Sequence, residues 1–363
     1  MKILILANDD EGLYKFRKEL VEALLKDNEV FISLPNGKYI PMLVEMGCTF
    51  IDTQFNRKGT NPIKDLELLS FYRKLLKKIK PNVVLTYTIK PNVYGGLACQ
   101  LEKTPYIVNI TGLGSALENG GLLEKIGLIL YKIGLKGAKK VFFQNTMNRD
   151  YMVDRKIVTM SQSDLIPGSG VNIKEYKLLE YPNKENTHFV FIGRMMTEKG
   201  FGLYLEALKV LKEKYPNSYY HIAGEYEDDY KKQVEELIQK DLVIYHGSVI
   251  NMVDEIYKNI HCSVMPTYYA EGMSNVLLES LACGRPIITT DRPGCKEVVE
   301  DGINGFVVKQ KDRDDLIEKM EKFINLSYED SKQMGINGRK KIEKEFDRSI
   351  VIDKYLKEIE KCA

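Results

Sequence analysis

Glu271 and Glu279 bracket the segment of this chain with the most chemical content. An apolar run, Cys262–Met265, stops at Pro266; Glu271-Gly272-Met273-Ser274-Asn275 follows, and a helical pattern then carries Glu279. Ser274 and Asn275 are N-cap residue types, and Gly272 allows close approach of the backbone to a ligand. A helix start offers unpaired N–H groups and the positive end of the dipole, which suits a diphosphate. If most of the span is helical, the carboxylates lie roughly 12 Å apart at about 1.5 Å per residue. One could then hold sugar hydroxyls and the other those of a ribose, with the diphosphate between them. Taken alone, the spacing describes only a capped helix with two solvated glutamates. The strand–loop–helix setting favours ligand binding.

Cations stand in a second loop. Gly193-Arg194-Met195-Met196-Thr197-Glu198-Lys199-Gly200 directly follows the apolar run His188–Ile192. Arg194 as a planar fork and Lys199 as a point charge are suited to converge on phosphate oxygens. The alternative is a surface loop with two solvated cations. GxxxxGK[ST] is absent, so this is not a Walker A loop. A third loop, Asn8-Asp9-Asp10-Glu11-Gly12, follows the first apolar run. Gly12 there allows backbone approach to a phosphate or sugar, while Asp9-Asp10 reads as an acidic helix start more readily than as a metal site. Further loops follow other runs: Thr88-Ile89-Lys90-Pro91-Asn92, Thr111-Gly112-Leu113-Gly114, Gly224-Glu225, Gly247-Ser248 and Asp291 to Glu297. Each alone is turn chemistry; their common position at strand ends carries the information. The four histidines (His188, His221, His246, His261) form neither a Ser-His-Asp pattern nor a metal-ligand spacing.

The elements that must position these loops alternate. Expected strands are Ile3–Leu6, Val30–Ser33, Val83–Tyr87, Tyr106–Ile110 and Val141–Phe143, then His188–Ile192, Tyr219–Ala223, Val243–Tyr245, Cys262–Met265 and Pro286–Thr289. Expected helices include Leu13–Leu25, Leu66–Ile79, Leu203–Lys214, Asp228–Gln239, Val253–Lys258 and Asn275–Cys283; the tail Leu316–Ile359 is mostly helical, with a break near Asp347-Arg348. This alternation predicts βαβ units around parallel sheets. Gly, Pro and Asn cluster at 167–183, between two complete α/β sets. The expected organisation is a Rossmann-like domain at 1–166, a linker at 167–183, a second Rossmann-like domain at 184–346 and a last helix at 347–363.

A length of 363 residues suits two domains, and 44% apolar with 29% charged residues is a globular balance. The net charge of +2 conceals an asymmetry: residues 1–170 carry 24 Lys/Arg against 17 Asp/Glu, and the remainder 29 against 34. A basic first half points to an anionic partner. Leu122–Lys140 mixes Leu122, Leu123, Ile126, Ile129, Leu130 and Ile133 with Lys125, Lys132, Lys136, Lys139 and Lys140; a second basic group is Arg73-Lys74, Lys77-Lys78 and Lys80. Two readings stay open: a basic amphipathic helix lying on anionic lipid, or a helix packed on its own sheet with its lysines in water. The six cysteines are scattered without a CxxC pair, which fits a reducing cytoplasm. The apolar start, Met1–Ala7, is too short for a signal peptide and reads as a buried first strand.

Taken together, the motifs resemble the retaining glycosyltransferases of family 4, which have the GT-B fold: two Rossmann-like domains whose parallel sheets face an interdomain cleft. The resemblance covers nearly the whole chain and is strongest in Gly193-Arg194 with Glu198-Lys199-Gly200, Pro266 and Glu271-Gly272 to Glu279, Ala282-Cys283-Gly284-Arg285-Pro286, Gly294, Glu297 and Asp301-Gly302-Ile303-Asn304-Gly305. Tyr87 to Gly95, with Thr111-Gly112-Leu113-Gly114, is similar to a bacterial subgroup that builds capsule, O-antigen or protein-linked glycans on undecaprenyl diphosphate. The resemblance implies that Arg194 and Lys199 neutralise the leaving diphosphate, that Glu271 contacts the transferred sugar and that Glu279 binds the ribose. It places the Gly272–Asn275 backbone, Gly193, Glu225 and Gly12 at the donor, and Lys90, Asn92, Thr111, Gly112 and Gly114 at the acceptor. It implies same-face attack with the leaving phosphate as base, no metal ion, no cofactor and no nucleic acid. A UDP-sugar, with N-acetylhexosamine as one candidate, would be the donor and a polyprenyl-diphosphate-linked saccharide the acceptor. The site of action would be the cytoplasm or the inner face of the plasma membrane, on an anionic surface. Many members carry a histidine in the first domain; this chain has none before His188, so no catalytic histidine is assigned. A sugar-nucleotide epimerase of the same fold and a non-catalytic nucleotide-sugar scaffold are the alternatives.

Overall fold

The computed structural model describes residues 1–53, 61–113, 120–183, 185–270 and 272–362. They form two units, Met1–Gly170 with Arg348–Ala363, and Val171–Asp347.

In the first unit the strands are β1 (Lys2–Leu6), β2 (Glu29–Leu34), β3 (Thr49–Asp52), β4 (Val83–Tyr87), β5 (Tyr106–Ile110), β6 (Lys140–Phe143) and β7 (Ser163–Leu165). They run in the order β3-β2-β1-β4-β5-β6-β7, and every pairing is parallel. The central strands are continuous apolar runs because helices cover both faces. On one face Leu68, Tyr72 and Leu76 pack with Tyr131 and Leu135; on the other Leu13, Leu20 and Leu24 pack with Val351, Tyr355 and Ile359 of the last helix, Arg348–Glu360. That helix is held by polar contacts too: Asn109 donates to the Tyr355 hydroxyl at 2.7 Å, and Arg348 pairs with Glu19 at 2.5 Å.

In the second unit the strands are β8 (Thr187–Ile192), β9 (Ser218–Ala223), β10 (Ile244–Tyr245), β11 (Cys262–Met265), β12 (Ile287–Thr290) and β13 (Gly305–Val308), in the all-parallel order β10-β9-β8-β11-β12-β13. In the stretch expected as a linker, Val171 and Tyr181 are buried. The Arg339 guanidinium donates to the carbonyls of Ile173 and Tyr176, and the fully buried Arg285 donates to that of Glu180 at 2.7 Å. From Val171 onward this stretch is therefore clamped onto the second unit.

The expected helices differ in their bounds. The charged helix starts at Lys231 instead of Asp228, because the Asp228 carboxylate receives the Thr197 N–H and hydroxyl. Val253–Tyr257 is a single π-helical turn, and the tail forms three helices, Arg313–Ile324, Tyr328–Glu345 and Arg348–Glu360.

His188 and His221 lie in β8 and β9, His246 directly follows β10 and His261 directly precedes β11; three of the four form a ladder. His188 and His221 meet at 2.9 Å between Nδ1 and Nε2, and His221 and His246 meet the same way at 2.9 Å. His261 Nδ1 accepts the His188 N–H at 3.1 Å. Each rung needs one ring to donate and the next to accept, so two adjacent rings of the ladder cannot both be protonated. Burial, followed by the neighbouring His188, His246 and His261, pushes His221 down to about 3. Burial and then Lys212 lower His188; burial lowers His246, against the pull of Glu255. A histidine with a depressed folded pKa stabilises the fold above its unfolded value and loses that contribution as pH falls. The melting temperature should therefore decline from about pH 6.5 towards pH 3 with a component that His221→Asn removes. Equal pH slopes in the variant and the parent would contradict this.

Candidate active site

In each sheet the strand order reverses once, and ligands of open parallel sheets bind beyond the carboxyl ends of strands at such a reversal. In the second unit the reversal lies between β8 and β11. The loops that follow these two strands are the Arg194–Lys199 loop and the Pro266–Asn275 loop, which the sequence singles out. Tyr268 N–H and the Thr267 hydroxyl both donate to the Glu198 carbonyl, at 2.8 and 3.2 Å, so the two loops are joined directly.

Glycines let the strand ends close up. Gly193 adopts φ +142° and Gly224 φ +137°. A Cβ on Gly224 would lie 2.0 Å from the Gly193 carbonyl oxygen. Gly224 N–H donates to the Gly247 carbonyl at 2.8 Å, and Met195 N–H to that of Glu225 at 2.8 Å. Glu225 is exposed, and its carbonyl is the acceptor in that bond.

Arg194 and Lys199 share one aromatic ring. The guanidinium carbon lies 5.7 Å, and the ammonium nitrogen 5.3 Å, from the centre of the Tyr269 ring. Burial opposes the Arg194 charge, but Glu227 and then Tyr269 more than offset it, and its pKa rises. Lys199 goes the other way: burial pushes it down to about 8, the Cys295 thiol resists the fall, and the Arg194 cation adds to it. Two like charges on one ring, the exposed Arg194 and the half-buried Lys199, form a site that an anion stabilises.

The helix Asn275–Ala282 opens beside them. Ser274 occupies the N-cap position but does not cap; its N–H donates to the Gly294 carbonyl at 2.9 Å and its hydroxyl faces the Met265 sulfur at 3.7 Å. Asn275 lies inside the helix and is not a cap. The first-turn N–H groups thus have no side-chain cap from Ser274. Two buried acceptors also have no hydrogen-bond partner among the described residues: Asn275 Oδ1 and Glu297 Oε1. The other Glu297 oxygen accepts the Gly294 N–H at 2.7 Å. Buried acceptors without partners call for an explanation, and hydroxyl donors of a bound ligand supply one. Met273 is buried in the apolar cluster behind this helix, and Gly272 is buried at its approach. Glu279 accepts from the Tyr257 hydroxyl at 3.5 Å and is half-buried. Glu271 lies outside the described residues; among those that follow it, the helix begins at Asn275 and carries Glu279.

In the first unit the reversal lies between β1 and β4. Gly12 sits in the first turn of the helix Asp10–Leu25, where its N–H is capped by Asp9 at 2.6 Å. After β4, Thr88 adopts φ +70°, a strained conformation for a β-branched residue, at the strand end where ligands bind. Lys90 pairs with Asp65 at 2.9 Å, and Asp65 also accepts the Tyr94 hydroxyl at 2.9 Å. Thr111 and Gly112 are half-buried at the end of β5, with Gly112 at φ +152°; Gly114 lies outside the described residues. Asn92 has a different job from the one expected. It is fully buried, accepting from Thr86 at 2.8 Å and donating to the Asn109 carbonyl at 3.0 Å. Its side chain holds β4 to β5 and does not face an acceptor.

Tyr269 is not singled out in the sequence, Arg292 appears there only as a member of a loop, and Glu297 only in that loop and among the residues of the resemblance, with no role. Arg292 Nε donates to the Tyr269 carbonyl at 3.3 Å. The available signal was position: all three follow β11 or β12 closely. Among the described residues no cluster of three His, Cys, Asp or Glu is placed to hold a metal ion.

Two all-parallel α/β units, with a cationic loop and a helix start at the reversal of the second sheet, have the GT-B architecture. The chain belongs to the glycosyltransferases: the family model for glycosyl transferases group 1 matches residues 177–341, and that for glycosyl transferase 4-like domains matches residues 2–145. It is 27% identical, over 98% of both chains, to the N,N'-diacetylbacillosaminyl-diphospho-undecaprenol alpha-1,3-N-acetylgalactosaminyltransferase of Campylobacter jejuni. It is 25% identical to the UDP-Gal:alpha-D-GlcNAc-diphosphoundecaprenol alpha-1,3-galactosyltransferase of Escherichia coli, over 76% of each chain. Among solved structures, Anabaena HepE in complex with UDP-glucose shares the fold with a TM-score of 0.81 at 16% identity over the full length of both chains.

Proposed function

We propose that this glycosyltransferase moves a sugar, with N-acetylhexosamine the first candidate, from a UDP-sugar to a polyprenyl-diphosphate-linked saccharide, with retention of anomeric configuration and without a metal ion. The observation that carries the reading is the pair Arg194 and Lys199 on the Tyr269 ring, beside the start of the helix Asn275–Ala282. Charge develops on the departing diphosphate, and fixed cations and N–H groups stabilise it where a divalent ion otherwise would. Glu279 suits the ribose hydroxyls, and Asn275 Oδ1 and Glu297 Oε1 suit donor hydroxyls or amides. Glu271 is assigned to the transferred sugar. In a retaining reaction the acceptor hydroxyl attacks the anomeric carbon on the face the diphosphate leaves, and a diphosphate oxygen takes its proton; no histidine is needed for this. The acceptor side falls to the first unit, with Lys90, Thr111, Gly112 and Gly114 as its polar edge and Gly12 near the donor. Two relatives named for diphosphoundecaprenol-linked acceptors support this choice. A lipid-borne acceptor places the enzyme at the inner face of the plasma membrane.

The test is transfer from UDP-N-acetylhexosamines to a synthetic polyprenyl-diphosphate sugar in the presence of EDTA, with the anomeric configuration of the product read by NMR. An α-linked product from an α-linked donor, formed in EDTA, is expected. Inversion, metal dependence, or release of only an epimerised nucleotide sugar would each overturn the corresponding part. Tight UDP-sugar binding without any transfer would leave the scaffold reading in its place.

A further inference from the structure

The two basic segments of the first unit, separate in sequence, lie in one helical layer. The helix Pro62–Ile79 and the helix Gly121–Leu135 both pack into the same apolar cluster on one face of the sheet, and both contact the segment Pro91–Leu101. Their outward faces follow from the helical repeat of about 3.6 residues per turn. In Gly121–Leu135 the buried residues Tyr131, Gly134 and Leu135 define the inward side. Leu122, Ile126, Ile129 and Ile133 fall on the opposite side, and they are 73%, 41%, 59% and 45% exposed. In Pro62–Ile79 the inward side is Leu68, Tyr72, Leu75, Leu76 and Ile79; Ile63 and Leu66 lie opposite, 71% and 64% exposed, and continue into exposed Lys74 and Lys77.

The helix Gly121–Leu135 cannot turn this stripe inward. A Cβ at Gly134 would stand 2.6 Å from Val93 Cα, and the Gly134 carbonyl accepts the Tyr106 hydroxyl at 2.7 Å. Its one acid, Glu124, points the other way and accepts the Tyr151 hydroxyl at 2.5 Å. The outward side therefore presents apolar residues flanked by exposed Lys125, Lys132 and Lys136. An apolar stripe rimmed by cations of one sign is complementary to the acyl boundary and phosphates of an anionic bilayer. Among the described residues no helix is long and apolar enough to cross a membrane.

We infer that this layer is a bilayer-docking surface: the Leu122–Ile133 stripe enters the headgroup–acyl boundary of an anionic membrane, while Lys125, Lys132, Lys136, Lys74 and Lys77 engage lipid phosphates. The inference rests on the lipid-borne acceptor of the proposed function, and it adds the residues that hold the enzyme there. A protein partner would require polar groups with directional complements, and the exposed side of Gly121–Leu135 carries only lysines beside its apolar residues.

The test is co-sedimentation of the full chain with vesicles of phosphatidylcholine alone and of phosphatidylcholine mixed equally with phosphatidylglycerol. Binding is expected only to the second and should weaken with salt. Lys132→Glu with Lys136→Glu should lower partitioning at least about tenfold, as each basic residue contributes near an anionic surface. Ile126→Ser with Ile129→Ser should also lower it about tenfold, and the binding that remains should be more salt-sensitive. Lys74→Glu with Lys77→Glu tests the second helix and should weaken binding in the same direction. All three variants should transfer sugar to a short, water-soluble acceptor at the parent rate, so failure of docking is read separately from failure of the transferase reading. No vesicle binding by the parent, or binding untouched by all three pairs, overturns the inference. So does a dimer that the serine pair dissolves while vesicle binding persists, since the stripe would then cover a second copy of the chain.

Discussion

Lys199→Ala is expected to lower kcat/KM for sugar transfer by about a hundred- to a thousand-fold, the loss seen when one fixed electrostatic donor to a developing anion is removed. The ammonium group lies on the Tyr269 ring, which the Arg194 guanidinium also approaches, so both charges can act on one departing diphosphate. Lys199 is half-buried and its alanine variant removes a cation that burial disfavours, so the fold should survive with its melting temperature and circular dichroism unchanged. The lysine also sets a pH signature. Burial pushes its pKa down to about 8, so in the free enzyme the cation is lost as pH rises through that value. The profile of kcat/KM, which reports the free enzyme, should fall on the alkaline side near there. Lys199→Arg, which keeps its charge at all these pH values, should move that fall upward while keeping part of the activity. A Lys199→Ala enzyme within about tenfold of the parent would remove Lys199 from the reaction, since so small a loss is below the usual effect of such a donor.

Gly224→Ala should be among the most damaging single methyls in the second unit. The added carbon would stand 2.0 Å from the Gly193 carbonyl oxygen, and φ +137° is open to glycine and strained for alanine. The backbone has little room to retreat, because the Gly224 N–H is bonded to the Gly247 carbonyl at 2.8 Å. Strain and overlap together cost roughly 3 kcal/mol or more. At about 2–4 °C per kcal/mol for a domain of this size, the melting temperature should drop by about 10 °C. UDP affinity should fall as well, because the displaced neighbour is Gly193, which leads into Arg194. Gly247→Ala is the matched control. It also has positive φ, but nothing lies within 4 Å of its added carbon, so it should cost only about 1 kcal/mol. Thermal unfolding and UDP titration of the two variants read the difference. A Gly224→Ala melting temperature equal to that of Gly247→Ala would mean that the contact between the two strand ends is looser than drawn.

The alternation of strand and helix was legible because interior strands of parallel sheets are apolar on both faces. Ile3–Leu6, Val83–Tyr87, Tyr106–Ile110 and Cys262–Met265 are such runs, and each is a buried interior strand. The three strands that escaped notice, Thr49–Asp52, Ser163–Leu165 and Gly305–Val308, are all at sheet edges. Thr49–Asp52 and Ser163–Leu165 are short and carry little apolar signal, as suits strands that pair on one side only; Gly305–Val308 is apolar but only four residues long. The cationic loop and the segment leading to Glu279 were legible for a related reason. They follow apolar runs, and in a parallel sheet every such loop emerges on the same edge.

Several matters were decided only by tertiary structure. Strand order cannot be read from one chain, yet it is the order β9-β8-β11 that puts the Arg194–Lys199 loop beside the Pro266–Asn275 loop. Tyr269 gained its place between the two cations through that pairing. Asn92 stood in a loop of suitable position, and the turn after β4 drove its amide inward, where Thr86 and Asn109 needed a partner. The two basic helices became one surface because each buries one face on the same side of one sheet, which turns both remaining faces outward. Sequence by itself determined the kinds of chemistry this protein has at hand: cations, carboxylates, glycines and helix starts at strand ends. Which of them meet was settled by tertiary structure, because periodicity and residue type act over a few positions, whereas strand order and side-chain direction depend on contacts between residues far apart in the chain.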